Sequence, residues 1–190
     1  MLTSILALFL LLSPQTLTLA NGGKKQIIDN VRATVWESTG QPAEKADHDR
    51  VTIDLARPGN AAFIKKGETQ PNTLHSIVVD VKDAHIPPIP NKTGYPLAFP
   101  REGVKKILEN DRVIVWDYSW TPGKPTVMHF HDKQVVVVYM ASGKLKSTTP
   151  DGQSVVNTIS FGLTKFNEPD RSHSEEVVEG TARAVMVEFK

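Results

Sequence analysis

Short runs of β-branched and aromatic residues, separated by turn signals, dominate the second half of this sequence. Val135–Met140 reads VVVVYM, and Ser142-Gly143 follows one residue later. Further turn signals lie at Thr149-Pro150-Asp151-Gly152 and at Glu179-Gly180. Short strands at this even spacing favour a β-sandwich or a β-barrel over any helical fold. The predicted strands are Lys105–Leu108, Arg112–Trp116, Val135–Met140, Gly143–Ser147, Ser154–Ile159, Glu175–Val178 and Arg183–Phe189.

Residues 1–20 form a different kind of segment. Ile5–Leu12 reads ILALFLLL, Ser13-Pro14 interrupts it, and Thr18-Leu19-Ala20 resembles a cleavage site with small residues at both key positions. This layout predicts a signal peptide over 1–20 and export to the periplasm or the medium. The alternative is an uncleaved anchor, which the shortness of the apolar run disfavours.

The charge balance restricts the partners that we expect. The chain has 22 basic and 21 acidic side chains, for a net charge of +1, and no basic run. We therefore expect neither nucleic acid nor, after signal cleavage, a membrane as partner. The chain has 0 cysteines, so disulfides and thiolate metal ligands are excluded.

The mature chain divides into two halves and a connector. Residues 85–103 contain repeated prolines, which donate no hydrogen bond, and are predicted to be an extended surface connector. Three motifs before it resemble three motifs after it in the same order, which favours a two-fold repeat with 21–84 as the degenerate copy and 104–190 as the complete one. The matched segments are 35–38 with 115–118, 48–53 with 131–136, and 75–79 with 173–177.

Two histidines two residues apart are candidate metal ligands. In His129-Phe130-His131, a strand would point both imidazoles to the same face and Phe130 to the other. His173 follows a proline-containing turn at the start of another predicted strand. Neutral imidazoles are good ligands for divalent iron, manganese, nickel or zinc, so the three histidines predict a transition-metal site.

The surrounding pattern resembles the cupin superfamily. The first cupin motif is Gly-x5-His-x-His-x3,4-Glu-x6-Gly, and Gly123, His129, His131 and Gly143 match it. The second motif is Pro-x-Gly-x-x-His, and the segment 169–173 matches its proline and histidine but is one residue shorter and lacks its glycine. The resemblance implies an all-β double-stranded β-helix, the cupin jelly-roll barrel, with the metal inside. The degenerate first half makes the chain bicupin-like.

One departure from the motif changes the expected ligand set. The position of the motif's glutamate falls at Val135 or Val136, and neither can bind a metal. Gln134 is the nearest polar residue and is a candidate neutral ligand. Glu175, two residues after His173, is a candidate fourth ligand or general base, with a solvent-facing position as the alternative.

Three further residues are candidates for substrate binding. Arg171 could hold a carboxylate, and the alternative is a solvated loop arginine. Trp120 and Met140 could line a pocket, and the alternative is packing in the core.

These features leave three functional hypotheses. The first is a metal-dependent enzyme on a small molecule, either dioxygenase-like or a lyase or isomerase. The second is a non-catalytic barrel that binds a small ligand and retains relic histidines. The third is a structural role, in which the first half is an intramolecular partner for the second or the chain forms a homodimer.

Overall fold

A computed structural model of the chain describes residues 22–190. Within this range every regular element is a strand, and none of these residues forms a helix. The sixteen strands are β1 (Gly23–Asp29), β2 (Ala33–Gln41), β3 (Glu44–Lys45), β4 (Arg50–Asp54), β5 (Ala61–Ile64), β6 (Thr69–Gln70), β7 (Thr73–Val81), β8 (Lys105–Glu109), β9 (Val113–Trp120), β10 (His129–His131), β11 (Val135–Tyr139), β12 (Gly143–Thr148), β13 (Ser154–Ile159), β14 (Thr164–Asn167), β15 (Arg171–Gly180) and β16 (Ala182–Phe189).

The second half of the chain forms the predicted barrel. Its two antiparallel sheets have the strand orders β14-β11-β16-β9-β8 and β10-β15-β12-β13. All seven strands expected from the sequence after residue 104 are present, which confirms the all-β prediction. The structure adds two strands, β10 at the histidine pair and β14, whose sequence TKFN carries too weak a β-branched pattern to stand out.

The first half repeats one of these sheets with the same strand order. Its five-stranded sheet has the order β1-β2-β7-β4-β5, which matches β8-β9-β16-β11-β14 strand for strand. The register shifts between Gln26 and Ile28 in one sheet and between Lys106 and Leu108 in the other. The second sheet of the barrel has only the two-stranded ribbon of β3 and β6 as its counterpart.

The two hairpin turns are built in the same way. The side-chain carbonyl of Asn30 accepts hydrogen bonds from the backbone N–H groups of Arg32 and Ala33. The side-chain carbonyl of Asn110 accepts the same bonds from Arg112 and Val113. An asparagine that caps the turn in this way sets the local backbone, so the two hairpins have the same shape for the same reason.

Side-chain pairs on the sheets also correspond. The indole N–H of Trp36 donates to Asp80 over 2.9 Å, and that of Trp116 donates to Glu188 over 2.9 Å. Beside them, His75 lies 2.9 Å from Glu37 in the first half. Arg183 forms the equivalent pair in the second half, 2.8 Å from Asp117.

The strand register corrects two of the motif matches proposed from the sequence. Because β7 is the counterpart of β16, His75 corresponds to Arg183 and not to His173. Arg50 pairs with Asp80 as Val135 pairs with Glu188, so the segment at 48–53 is displaced by two residues from its proposed match. The first half therefore carries no counterpart of the histidine cluster at His48 or His75.

A shared core joins the two five-stranded sheets. Side chains from both halves belong to this outer core, including Val79 of β7 and Val187 of β16, each 0% exposed. A second, inner core fills the barrel itself and includes Val137 and Met186. Strands β9, β11 and β16 therefore bury both faces, which explains the uninterrupted apolar run VVVVY in β11.

Two arginines cross between the halves in a reciprocal way. The guanidinium of Arg32 donates to the carbonyl of Lys190 over 2.8 Å, and that of Arg112 donates to the carbonyl of Lys82 over 3.0 Å. Lys82 and Lys190 are themselves equivalent, because their N–H groups bond to Arg32 and Arg112 respectively. The halves are thus related by an approximate two-fold axis.

The connector 85–103 does more than cross the surface, which corrects that expectation. The N–H of Ala98 donates to Phe130 and the N–H of Phe130 donates to Pro96, each over 2.8 Å, so the segment runs beside β10. This placement buries Ala98 and Phe99 in the inner core.

The predicted signal peptide over 1–20 lies outside the described residues. Between residues 22 and 190 there is no helix with the length and apolarity that crossing a membrane requires.

Candidate metal centre

Strands β10 and β15 bring the three histidines together. His129 lies directly opposite His173 in the antiparallel pair, and His131 is two residues further along β10 on the same face. Phe130 points away and is 1% exposed. The two-residue period of a strand, together with the register of one pair, therefore places three imidazoles on one patch.

The nitrogen atoms of the cluster are close enough to share an ion. One ring nitrogen from each of His129, His131 and His173 lies within 4.8 Å of the others, and all three side chains are buried. Nε2 of His131 and Nε2 of His173 are 3.2 Å apart. Nδ1 of His129 lies 2.8 Å from the carbonyl of Val127, which places the proton on Nδ1 and leaves Nε2 as the free lone pair.

The surroundings keep these imidazoles neutral. Burial, followed by the charge of Arg101, lowers the pKa of His129 to about 4. Burial and then the charge of Arg171 lower the pKa of His173 to about 4 and hold the pKa of His131 well below its usual range. A neutral imidazole has a lone pair to donate, so the three rings are in the state that binds a metal.

The structure places Glu175 beside this cluster. Its Oε1 lies 3.8 Å from Nε2 of His173, and its Oε2 accepts a hydrogen bond from the indole N–H of Trp120 over 3.1 Å. Its backbone exchanges two bonds of 2.8 Å with Thr126. Glu175 is outside the group whose ligand atoms all lie within 4.8 Å, so it borders the cluster.

Arg101 is a site residue that the sequence reasoning missed. Its Nη1 lies 3.1 Å from Nε2 of His129, and its Nη2 lies 3.6 Å from Oε2 of Glu175. Its guanidinium also covers the ring face of Tyr118 at 4.1 Å from the centroid. No local signal marks this arginine, because it follows a proline-rich connector and reaches the barrel only through the path of that segment.

Arg171 lies on the same strand face as His173 and Glu175. Its Nε donates to the carbonyl of Glu168 over 2.7 Å, and its Nη2 is buried without a hydrogen-bond partner. Burial lowers its pKa, and the nearby Glu175 opposes that shift. Arg171 is thus a partly buried cation beside the histidines and not a solvated loop residue.

The aromatic residues around the cluster are packed. Trp120 is 5% exposed and belongs to the inner core, where its indole holds Glu175. Phe99 stacks on Trp116 at 5.4 Å and meets the ring of His131 edge-on at 6.0 Å. These contacts restrict the orientation of the His131 ring and of the Glu175 carboxylate.

Two predicted site residues lie elsewhere, and both need correction. Met140 belongs to the outer core between the two sheets, so it does not line the barrel. Gln134 precedes β11 on the same alternating face as Val136 and Val138, and its amide lies 3.4 Å from Glu168. Val136, Val138 and Met140 alternate along the chain and share the face that packs in the outer core.

A second group of potential ligand atoms lies in the first half. Asp47, His48 and Asp80 have ligand atoms within 4.8 Å of one another. Arg50 already lies 2.7 Å from Asp47 and 2.9 Å from Asp80. A buried guanidinium therefore already supplies the positive charge at this group, which makes it a poor metal site.

The three barrel histidines, in contrast, fit a metal ion. Imidazole nitrogens bound to one ion at about 2.1 Å are separated by about 3.0–3.4 Å, and the distance of 3.2 Å between His131 and His173 lies in that range. The cluster could hold a metal ion without rearrangement of these two rings. For His129 to bind the same ion, Arg101 must move away from Nε2 of that ring.

The fold and the site define the class of this protein. Residues 104–190 form a double-stranded β-helix with three histidines inside the barrel. No protein-family model matches the sequence, and no curated protein matches it.

Several solved structures are similar to the chain. A cupin domain from Bordetella pertussis has 28% identity over 50% of this chain and 96% of its own, with a TM-score of 0.43. A cupin 2 conserved barrel domain protein from Leptotrichia buccalis has 11% identity over 90% of both chains, with a TM-score of 0.48. The polyketide cyclase RemF from Streptomyces resistomycificus has 17% identity over 53% of this chain and 77% of its own, with a TM-score of 0.39.

Proposed function

We propose that this chain is an exported, metal-binding cupin protein that acts as a metal-dependent enzyme on a small molecule. The observation that carries the proposal is the convergence of three buried, neutral imidazoles inside the barrel. A single cation can bind the lone pairs of all three imidazoles at once.

The ligand set restricts the ion. Three neutral nitrogen donors favour iron, manganese, nickel or zinc over magnesium or calcium, which prefer oxygen ligands. When bound, such an ion supplies Lewis-acid chemistry, or redox chemistry in the case of iron or manganese, which suits a dioxygenase-like, lyase or isomerase reaction.

Glu175 is the proposed general base of the reaction. Its Oε2 is held by the indole of Trp120, while Oε1 faces His173 at 3.8 Å. A carboxylate oriented in this way can take a proton from a ligand that sits next to the histidines. The indole bond keeps the carboxylate in position, and Nη2 of Arg101, 3.6 Å from the same Oε2, places a positive charge beside it.

Next to His129, a cavity of about 330 Å³ supplies the space for a substrate. His129 and Arg101 form part of its wall, together with Tyr118 and Thr126. This volume corresponds to a small molecule at the lower end of ordinary ligand sites.

Metal content tests the proposal directly. The protein is purified without chelator and its metals are measured by mass spectrometry, beside a His129→Ala/His131→Ala variant and a His48→Ala/His75→Ala control. We expect near-stoichiometric iron, manganese, nickel or zinc in the parent and the control, and none in the barrel variant. Failure of the parent to bind any of these ions, even after refolding with added metal, would overturn the proposal.

A second candidate function is a non-catalytic barrel that binds a small ligand. The contact between Arg101 and Nε2 of His129 favours it, because a cation there competes with a metal. Under this alternative a ligand binds with unchanged affinity after chelation, whereas the enzyme proposal requires turnover to cease.

Export is a separate part of the proposal and rests on residues 1–20. Terminal sequencing of protein recovered from the periplasm or the medium is expected to give a chain that begins at Asn21. Recovery from the cytoplasm with Met1 retained would contradict it.

A further inference from the structure

Two arginines with unsatisfied donors flank the histidine cluster. Nε of Arg101 and Nη2 of Arg171 are buried, and neither has a hydrogen-bond partner. Guanidinium groups are strong donors, and leaving such a donor buried and unpaired costs on the order of 1–3 kcal/mol or more. Arg101 lines the cavity beside His129, so an acceptor bound there could satisfy its donor.

The charge around the cluster is positive even before a metal is counted. Arg101 and Arg171 contribute two positive charges, and Glu175 contributes one negative charge. With the three imidazoles neutral, the sum is +1 (2 − 1), and a divalent ion would raise it further. A buried excess of positive charge is stabilised by an anion, so a ligand that completes the site carries negative charge.

Arg101 is positioned to meet that anion. Its side chain is 13% exposed, and its guanidinium carbon lies 4.1 Å from the ring centroid of Tyr118 at the wall of the cavity. Nη1 faces Nε2 of His129, so the edge formed by Nη2 and the unpartnered Nε is the one that can bind a carboxylate as a bidentate pair. Glu175 at 3.6 Å is too distant to be such a partner.

We propose that the ligand of this cavity is a small organic acid whose carboxylate pairs with Arg101, while Arg171 adds to the positive potential from the His131 side of the cluster. The inference rests on the proposed function, because it takes the cavity beside the histidines as the substrate site. It adds the chemical class of the substrate, a compact mono- or dicarboxylate, and the residue that recognises it.

Calorimetric titration tests this class. The probes are oxalate, succinate and 2-oxoglutarate, with succinamide as a neutral analogue and inorganic phosphate as a second anion. Each is titrated into metal-loaded and into chelated protein, whose metal content is measured separately. We expect at least one carboxylate to bind and succinamide not to bind, with phosphate at least tenfold weaker than that carboxylate.

Variants test whether Arg101 is the residue that recognises the carboxylate. Arg101→Gln is expected to weaken carboxylate binding at least tenfold, Arg101→Lys by less, and Arg171→Gln by a few fold. Arg57→Gln is the matched control, because Arg57 is 76% exposed in the other half of the chain. Thermal unfolding of each variant confirms that it is folded.

The outcomes separate the two proposals. Metal binding without any carboxylate binding, or equal affinity for succinamide, overturns the inference and leaves the proposed function standing. Unchanged carboxylate affinity in a folded Arg101→Gln variant also overturns it. Carboxylate binding that depends on Arg101 in a protein that never takes up metal supports the inference and removes the metal-dependent function.

Discussion

Nη1 of Arg101 lies 3.1 Å from Nε2 of His129, the only nitrogen of that ring with a free lone pair. The same lone pair is the one that a metal would use, so the guanidinium and the metal compete for one atom. This competition links the connector, which carries Arg101, to the barrel strand that carries His129.

Removal of the competing charge is expected to strengthen metal binding. Arg101→Met should raise the affinity for zinc by about tenfold, because it frees Nε2 and removes a positive charge next to the ion. Competition with a metal indicator measures this affinity. Lys124→Met is the control, since Lys124 lies on the same cavity but is 66% exposed, and its effect should be under about twofold. Weaker zinc binding in Arg101→Met would show that the arginine supports the metal and does not compete with it.

The stability of the metal-free protein is expected to fall in mild acid. The pKa of His129 and of His173 is about 4 in the folded chain because of burial, against an ordinary value of 6.5. Between these values the unfolded chain binds protons that the folded chain does not, so stability decreases as the pH falls from 6.5 toward 4. The loss is on the order of 3 kcal/mol for each histidine as an upper value.

Urea unfolding with chelator present, at pH 7.5, 5.5 and 4.5, measures this dependence. His173→Gln should reduce its slope, while His48→Gln, in an exposed position, should not. Equal slopes for the parent and His173→Gln would contradict the assignment.

Arg32 and Arg112, which donate hydrogen bonds from one half of the chain to the other, are expected to stabilise the contact between the halves unequally. Arg32 is 3% exposed and donates to the carbonyls of Ala84 and Lys190, so Arg32→Met should cost about 2 kcal/mol of the free energy of unfolding. Arg112 is more exposed, at 27% of its side chain, and its replacement should cost less. Urea unfolding measures both, with Arg57→Met as a control expected within about 0.5 kcal/mol of the parent. A larger loss of unfolding free energy for Arg112→Met than for Arg32→Met would contradict this prediction.

The two halves are expected to unfold together. Val79 and Val187 are both fully buried in the outer core, so Val79→Ala and Val187→Ala should each cost about 2 kcal/mol. Since both halves share that core, each variant should keep a single transition.

Fluorescence of Trp36 reports on the first half, and that of Trp120 on the barrel, when the other tryptophans are replaced by phenylalanine. Coincident transitions are expected. A Val79→Ala variant in which Trp36 changes before Trp120 would show that the first half unfolds independently.

Much of the histidine site could be predicted because strand periodicity is local. His129 and His131 share a face in any strand that contains both, and Glu175 shares one with His173 for the same reason. Arg101 could not be predicted, because its position depends on hydrogen bonds between the connector and Phe130, far from it in sequence. Met140 could not be placed either, since β11 is apolar on both faces and periodicity does not say which face is inside.

By itself, the sequence determined which residues form strands and which side chains share a face, because both follow from local backbone geometry. The turns at Asn30 and Asn110 are likewise local. Only the tertiary structure decided that β7 corresponds to β16 and not to β15, and which face of β11 lines the barrel. Those choices depend on which strands exclude water together, and strand pairing joins residues that no local pattern connects.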